Sequence, residues 1–248
     1  MTDILAEVAD QVLTITLNRP AKKNALTPGM YTDLNHRLAE AAGDFGIRAV
    51  VITGAGSAFT AGNDIMDFMN TPPSGEDSPV MQFLATIHNF PKPLIAAVHG
   101  NAVGIGTTML MHCDLVYAAP DSKFAMPFVS LGLVPEAGSS LIFPRLVGHV
   151  KASEIFLTGR NFSATEALEM KLINGIEELP LAKAVEMAKV IAEQPPEAVI
   201  NSKALLKSAD HEAITAVMRV EGELFGMALQ SDEAATAFMK FLAKKQKG

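Results

Sequence analysis

Two short apolar runs closed by glycine turns, and a third like them, constrain this chain more than any other feature. They are Ala49 to Thr53 (AVVIT), ending in Gly54, Leu94 to Val98 (LIAAV), ending in His99-Gly100, and Asp114 to Ala118 (DLVYA). Runs this short with so little polar alternation leave no face for water, so they read as strands buried on both sides, the pattern of parallel sheet. Ahead of the first lies a helix pattern. Thr27 is placed as N-cap, Pro28 as first helical residue, and Leu26, Met30, Leu34 and Leu38 repeat every four positions to give one buried face. Ile4 to Val8 and Val12 to Leu17 predict a hairpin turning at Ala9-Asp10. Strands alternating with helices across glycine turns predict an α/β architecture with function at the strand ends.

Past residue 150 helices dominate: Lys151 to Thr158, then Ser163 to Met170 with Ser163 and Glu166 spaced as a capping box. A strand-like Gly175 to Glu178 and a helix from Leu181 to Glu193 follow, then three helical patterns over 196–208, 210–229 and 231–245. This divides the chain into a core, 1–194, and a C-terminal helical region, 195–248. Leu205, Leu206, Val217, Leu224, Phe225 and Phe238 are available there to bury against a second copy or the chain's own core. Residues 71–79 (TPPSGEDSP) are a breaker-rich loop, either a mobile pocket wall or a tolerated insertion.

With 248 residues, 49% of them hydrophobic, the chain can bury a sizeable core. The single cysteine, Cys113, forms no intrachain disulfide, and no Cys/His cluster has zinc spacing, so no metal is expected. An acidic amino terminus without a signal-like apolar run, and no long unbroken apolar stretch, predict a soluble cytoplasmic protein without a membrane partner. A net charge of -7 disfavours nucleic acid as a partner. Lys244, Lys245 and Lys247 form a basic patch that reads as a solvated helix end.

The chemistry concentrates in three segments. Gly54 to Asp64 (GAGSAFTAGND) follows one buried strand, and His99 to Gly106 (HGNAVGIG) follows another and opens a helix expected from Gly106 to His112. Small residues let another molecule approach the backbone, and free N–H groups can hold an anion there. Neither segment matches a phosphate P-loop or a dinucleotide fingerprint. The third, Ser130 to Ser140 (SLGLVPEAGSS), brings one acid, Glu136, which reads either as a helix-end charge or as a proton carrier. His88, His99 and His112 read as packing histidines.

These segments, together with Asn18-Arg19-Pro20 and Asn24-Ala25-Leu26, resemble the enoyl-CoA hydratase/isomerase, or crotonase, superfamily over nearly the whole chain. The resemblance implies a spiral of strand-strand-helix repeats with a C-terminal helical region that makes trimers or dimers of trimers. It implies acyl-CoA thioester substrates, and no cofactor beyond the coenzyme A that the substrate carries. It implies a thioester oxygen held by two backbone N–H groups, placed here at Ala61 and Ile105. Ile105 stands where many relatives have glycine, so its turn must enter the helix with ordinary geometry. Lys23 (with Lys22), Ala25, Asn63, Asp64 and Ile65 fall in the implied substrate-binding segments. Either lysine meets a coenzyme A phosphate or the pair is merely solvated, and Asp64 is expected to fix its loop by accepting backbone N–H bonds.

The hydratases of this superfamily add water with two glutamates, whose positions correspond here to Thr108 and Phe128. Neither is a carboxylate. Phe128 lines an acyl pocket or packs in the core, and replacing Thr108 is expected to matter little. Glu136 matches the base of the 3-enoyl to 2-enoyl-CoA isomerases, and one carboxylate suffices to move a proton from C2 to C4. Met66, Phe68, Met69, Met81, Phe83 and Leu84 supply an acyl-binding or core apolar set. The leading expectation is an acyl-CoA isomerase. The alternatives are another crotonase reaction, hydratase or hydrolase, and a non-catalytic acyl-CoA or RNA-binding member.

Overall fold

The computed structural model describes residues 2–70, 75 and 77–245. Most of the 71–79 loop and the side chains of the 244, 245 and 247 lysine patch fall outside them. Strands β1 (Ile4–Ala9) and β2 (Val12–Leu17) form an antiparallel hairpin with Ile4 opposite Leu17. Its turn is Asp10-Gln11, one residue later than expected. Both residues are left-handed (φ 50° and 62°), the geometry whose twist matches the flanking strands, and Ala9 still pairs with Val12.

From β2 the sheet continues in parallel through β3 (Ala49–Gly54), β4 (Leu94–Val98), β6 (Leu115–Ala118) and β9 (Gly175–Ile176). A smaller sheet joins β5 (Asn101–Val103), β7 (Lys123–Ala125) and β8 (Phe162–Ser163). Single parallel bridges from Leu26 to Asn63 and from Thr60 to Ala102 carry that ladder back into the earlier turns. Each turn thus gives one strand to the long sheet and a short strand or bridge to the small one before a helix closes it. This is the expected α/β spiral.

The helices are α1 (Pro28–Gly43), α2 (Ile65–Asn70), α3 (Pro79–Asn89), α4 (Ile105–Thr108), α5 (Ser139–Val147), α6 (His149–Thr158), α7 (Ala164–Glu169), α8 (Pro180–Ala192), α9 (Pro196–Ser208), α10 (His211–Leu229) and α11 (Asp232–Lys245). Thr27 caps α1 by accepting the Met30 N–H at 3.2 Å, and Ser163 and Glu166 form the capping box of α7. The helix expected over 106–112 is instead the short α4 followed by a 3-10 turn, Met109–His112. None among the described residues is long and apolar enough to cross a membrane.

The long sheet is covered on both faces, which explains the continuous apolar runs. Val50 and Ile52 join the main core with Leu34, Leu38 and Phe83. Ala49 and Val51 point the other way, where Ala184, Ala188 and Ala192 of α8 give a small-residue face that lies close to the strands. The C-terminal helices divide their apolar residues: Phe238 is buried, whereas Leu205 and Leu206 are exposed.

Candidate active site

Backbone geometry at the first glycine turn is set by Asn24, a fully buried amide. Its Nδ2 donates to the carbonyls of Ala55 and Ala58 at 2.8 and 2.7 Å, and its Oδ1 accepts the Arg19 N–H at 2.8 Å. The Asn18 to Leu26 segment therefore stitches the 54–62 loop in place. Arg19 also pairs with Asp64 at 2.8 Å, and Asp64 accepts the Met66 N–H at 3.2 Å. Burial pushes the Asp64 carboxyl up, but the Arg19 guanidinium and backbone donors bring it below the usual value. Asp64 thus fixes the loop, as expected, and lines neither cavity described below.

The N–H groups here decide which donors are free. Ala61, the expected donor, gives its N–H to the Lys23 carbonyl at 2.9 Å. This corrects the sequence reading: the parallel bridge places Leu26 N–H on Gly62 O and Asp64 N–H on Leu26 O, and leaves the intervening Asn63 N–H outside the ladder. Asn63 N–H makes no hydrogen bond among the described residues, and neither does Ile105 N–H at the start of α4. Gly62 is required at φ 83°, where an added Cβ would lie 2.7 Å from the Val103 carbonyl. Gly104 takes the positive φ (57°) before α4, so Ile105 enters the helix with ordinary geometry.

Asn63 and Ile105 line a cavity of about 90 Å³ with Ala61, Ile65, Pro127 and Phe128. It shares Asn63, Phe68 and Phe225 with a larger cavity of about 430 Å³, whose wall includes Val80, Met81, Leu84, Glu136, Met218 and Gly222. Phe128 is both pocket lining and core. Of the expected acyl set, Phe68, Met81 and Leu84 line the large cavity, Phe83 packs on Tyr31 in the core, and Met66 and Met69 are exposed. Lys23 and Ala25 line neither cavity. Lys23 lies exposed on the surface, and Ala25 contributes its carbonyl to Arg19.

Glu136 is buried at the wall of the large cavity. Thr108, itself fully buried, lines neither of these cavities but donates its hydroxyl to Glu136 Oε1 at 2.5 Å, so it is no bystander. Burial pushes the Glu136 carboxyl from 4.5 up to about 8, against the Thr108 donor and with help from the nearby Glu221. Tyr31 donates to Asn63 Oδ1 at 2.5 Å, and its hydroxyl is pushed well above its usual value by burial and by Glu136. His112 is a packing histidine as expected: buried and neutral, pushed down to about 3 by desolvation, it donates Nε2–H to the Ala137 carbonyl at 2.7 Å.

Such an arrangement can take up and return a proton in an apolar cavity beside two free backbone donors. The residues it adds to the sequence reading are Asn63 as donor, Tyr31, Thr108 as a partner of the acid, and the α10 wall. The last had a sequence signal in Gly222 and Gly226, spaced to bare one side of α10.

Known proteins bear on this geometry. The sequence model of the enoyl-CoA hydratase/isomerase family matches residues 7–248. Enoyl-CoA delta isomerase 2 of Rattus norvegicus is 35% identical over 98% of this chain, which spans only 64% of that protein's length. A probable enoyl-CoA hydratase of Bacillus subtilis is 32% identical, with 99% of this chain and 98% of that one covered. The solved structure of Pseudomonas aeruginosa OdaA superposes with a TM-score of 0.95 at 45% identity, over 97% of this chain and 99% of the other.

Proposed function

This chain belongs to the enoyl-CoA hydratase/isomerase family, and we propose that within it the protein moves the double bond of a 3-enoyl-CoA to the 2-position. The observation that carries this is a lone buried carboxylate, Glu136, at the cavity wall, while the residues at the two positions implied for water addition are Thr108, already bonded to Glu136, and the apolar Phe128. The other acid on that wall among the described residues, Glu223, is exposed and paired with Arg219 at 2.7 Å.

In this mechanism the thioester oxygen sits between the Asn63 and Ile105 N–H groups. Glu136 removes a proton from C2, and negative charge moves onto that oxygen, where two fixed donors in a dry site contribute several kcal/mol. Glu136 then returns the proton at C4. The acyl chain continues along Met81, Leu84 and Met218. Coenzyme A enters with the substrate, and no further cofactor takes part. The trimer implied by the family belongs to this proposal, supported by exposed Leu205, Leu206 and Met227, and light scattering tests it.

Hydration is the competing reading, favoured by the similarity to the Bacillus subtilis protein named as a probable hydratase. Incubation with a 3-enoyl-CoA in heavy water separates the two. Conjugated 2-enoyl product, lost in Glu136→Gln, is expected. Product hydrated at C3, or a Gln variant as fast as wild type, rules the isomerase mechanism out.

A further inference from the structure

Glu136 lies three residues ahead of α5, whose positive end favours its ionised form, yet the structure directs that end elsewhere. Glu221, on α10 and only 6% exposed, accepts the Gly138 N–H on Oε2 at 2.6 Å and the Ser140 N–H on Oε1 at 2.9 Å. These are donors of the N-cap and first turn of α5, reached from 83 and 81 residues away in sequence. The turn between the two acids is unusual. Ala137 is left-handed at φ 62° without being glycine, Gly138 follows at φ 71°, and His112 holds the Ala137 carbonyl from the other side. Backbone strain of this kind persists only where the surroundings enforce it.

We propose that Glu221 is a positioning residue for Glu136. It closes the amino end of α5, locks the Glu136-Ala137-Gly138 turn, and cancels the positive helix end behind the cavity acid. This rests on the reading of Glu136 as the base. Around Glu136 stand Thr108 from α4, Tyr31 from α1 and Glu221 from α10. On α10 itself the neighbouring charges, Arg219 and Glu223, pair with each other in solvent. Glu221 is therefore the one carboxylate that acts on Glu136 among the described residues. Desolvation also raises Glu221, while its hydroxyl and amide partners around Ser140 and Gly138 hold it down. Removing its charge both ends a like-charge repulsion and uncovers the helix end, and each change favours ionised Glu136.

The test reads the Glu136 carboxyl directly, by carbon-13 NMR of protein labelled at glutamate Cδ, with the signal assigned by its loss in Glu136→Gln. In Glu221→Gln the titration midpoint of Glu136 should fall by about one pH unit. The acid limb of kcat/KM should move with it, and Glu221→Asp, which keeps the charge, should restore both toward wild type. A residue that acted only through stability would lower Tm and leave the midpoint in place, and an unmoved midpoint in folded Glu221→Gln overturns the proposal. Should that variant not fold, the wild type decides: Gly138 and Ser140 amides are expected to exchange slowly and shift as Glu221 titrates, and fast exchange without such a shift overturns it. The NMR midpoint is independent of turnover, so absence of isomerase activity would refute the base assignment without touching this result.

Discussion

A carboxyl held near pH 8 inside a protein destabilises it at alkaline pH, and Glu136→Gln should expose how much. An unfolded glutamate titrates near 4.5, whereas in the native chain Glu136 titrates at about 8 because of burial. Between those values the folded state keeps a proton that the unfolded state has released. Stability therefore falls as pH rises through the window and levels off above about 8. At about 1.4 kcal/mol per pH unit, the displacement sets a ceiling of about 5 kcal/mol, lowered by whatever water enters the cavity to screen the charge. Glutamine has the same shape, stays neutral, and can still accept the Thr108 hydroxyl. Urea denaturation of both proteins, followed by far-UV circular dichroism at one fixed protein concentration, gives the difference as a function of pH. Other titrating groups are shared and cancel, apart from Glu221 and Tyr31, which are coupled to Glu136. At pH 5 the two should agree within about 1 kcal/mol, and at pH 9 the inactive variant should be the more stable by about 3 to 5 kcal/mol. A difference that stays flat within about 1 kcal/mol from pH 5 to 9 would refute both the burial argument and the elevated carboxyl.

Other consequences are as direct. The pH profile of kcat/KM for isomerisation should rise through a midpoint near 8, since the base must be ionised. Thr108→Val removes the hydroxyl that stabilises the Glu136 carboxylate, so this midpoint should move up and kcat should fall by about tenfold. Gly62→Ala places a Cβ against the Val103 carbonyl at positive φ, and should lower Tm and kcat together as the Asn63 N–H is displaced. Thr27→Ala removes the cap of α1, and denaturant titration should show a loss of about 1 kcal/mol.

The parts of the fold written locally were legible in the sequence. Pro28 after Thr27, the box of Ser163 and Glu166, and the buried runs at residues 49–53 and 94–98 each carry their own physical signal within a few positions. The hairpin turn was missed by one residue because Asp10 and Gln11 take positive φ without glycine. The donor was misplaced for a different reason. Ala61 and Asn63 sit two apart in one small-residue loop, and which N–H is free follows from the register against Leu26, a contact across 37 residues of chain that periodicity does not encode. Thr108 was legible as the absence of an acid, but not as a donor to Glu136, because that bond joins α4 to a loop 28 residues on.

The same long-range construction bears on how one carboxylate would be enough for the proposed isomerisation. A group that must take a proton from C2 and then give it back at C4 works best when its pKa lies near the operating pH, since a strong acid captures poorly and a strong base releases poorly. An ordinary glutamate at the start of α5 would be held down by the helix end and would be a weak base. Two features counter this, apolar burial, which raises it, and Glu221, which takes up the α5 donors, while the single Thr108 hydroxyl orients the carboxylate and only partly offsets them. A second acid in place of Thr108 would stand against Oε1 as a like charge. It would raise Glu136 further and create a pair able to hold a water, whereas the neutral hydroxyl leaves Glu136 without a second acid against it, as the proposed isomerisation requires.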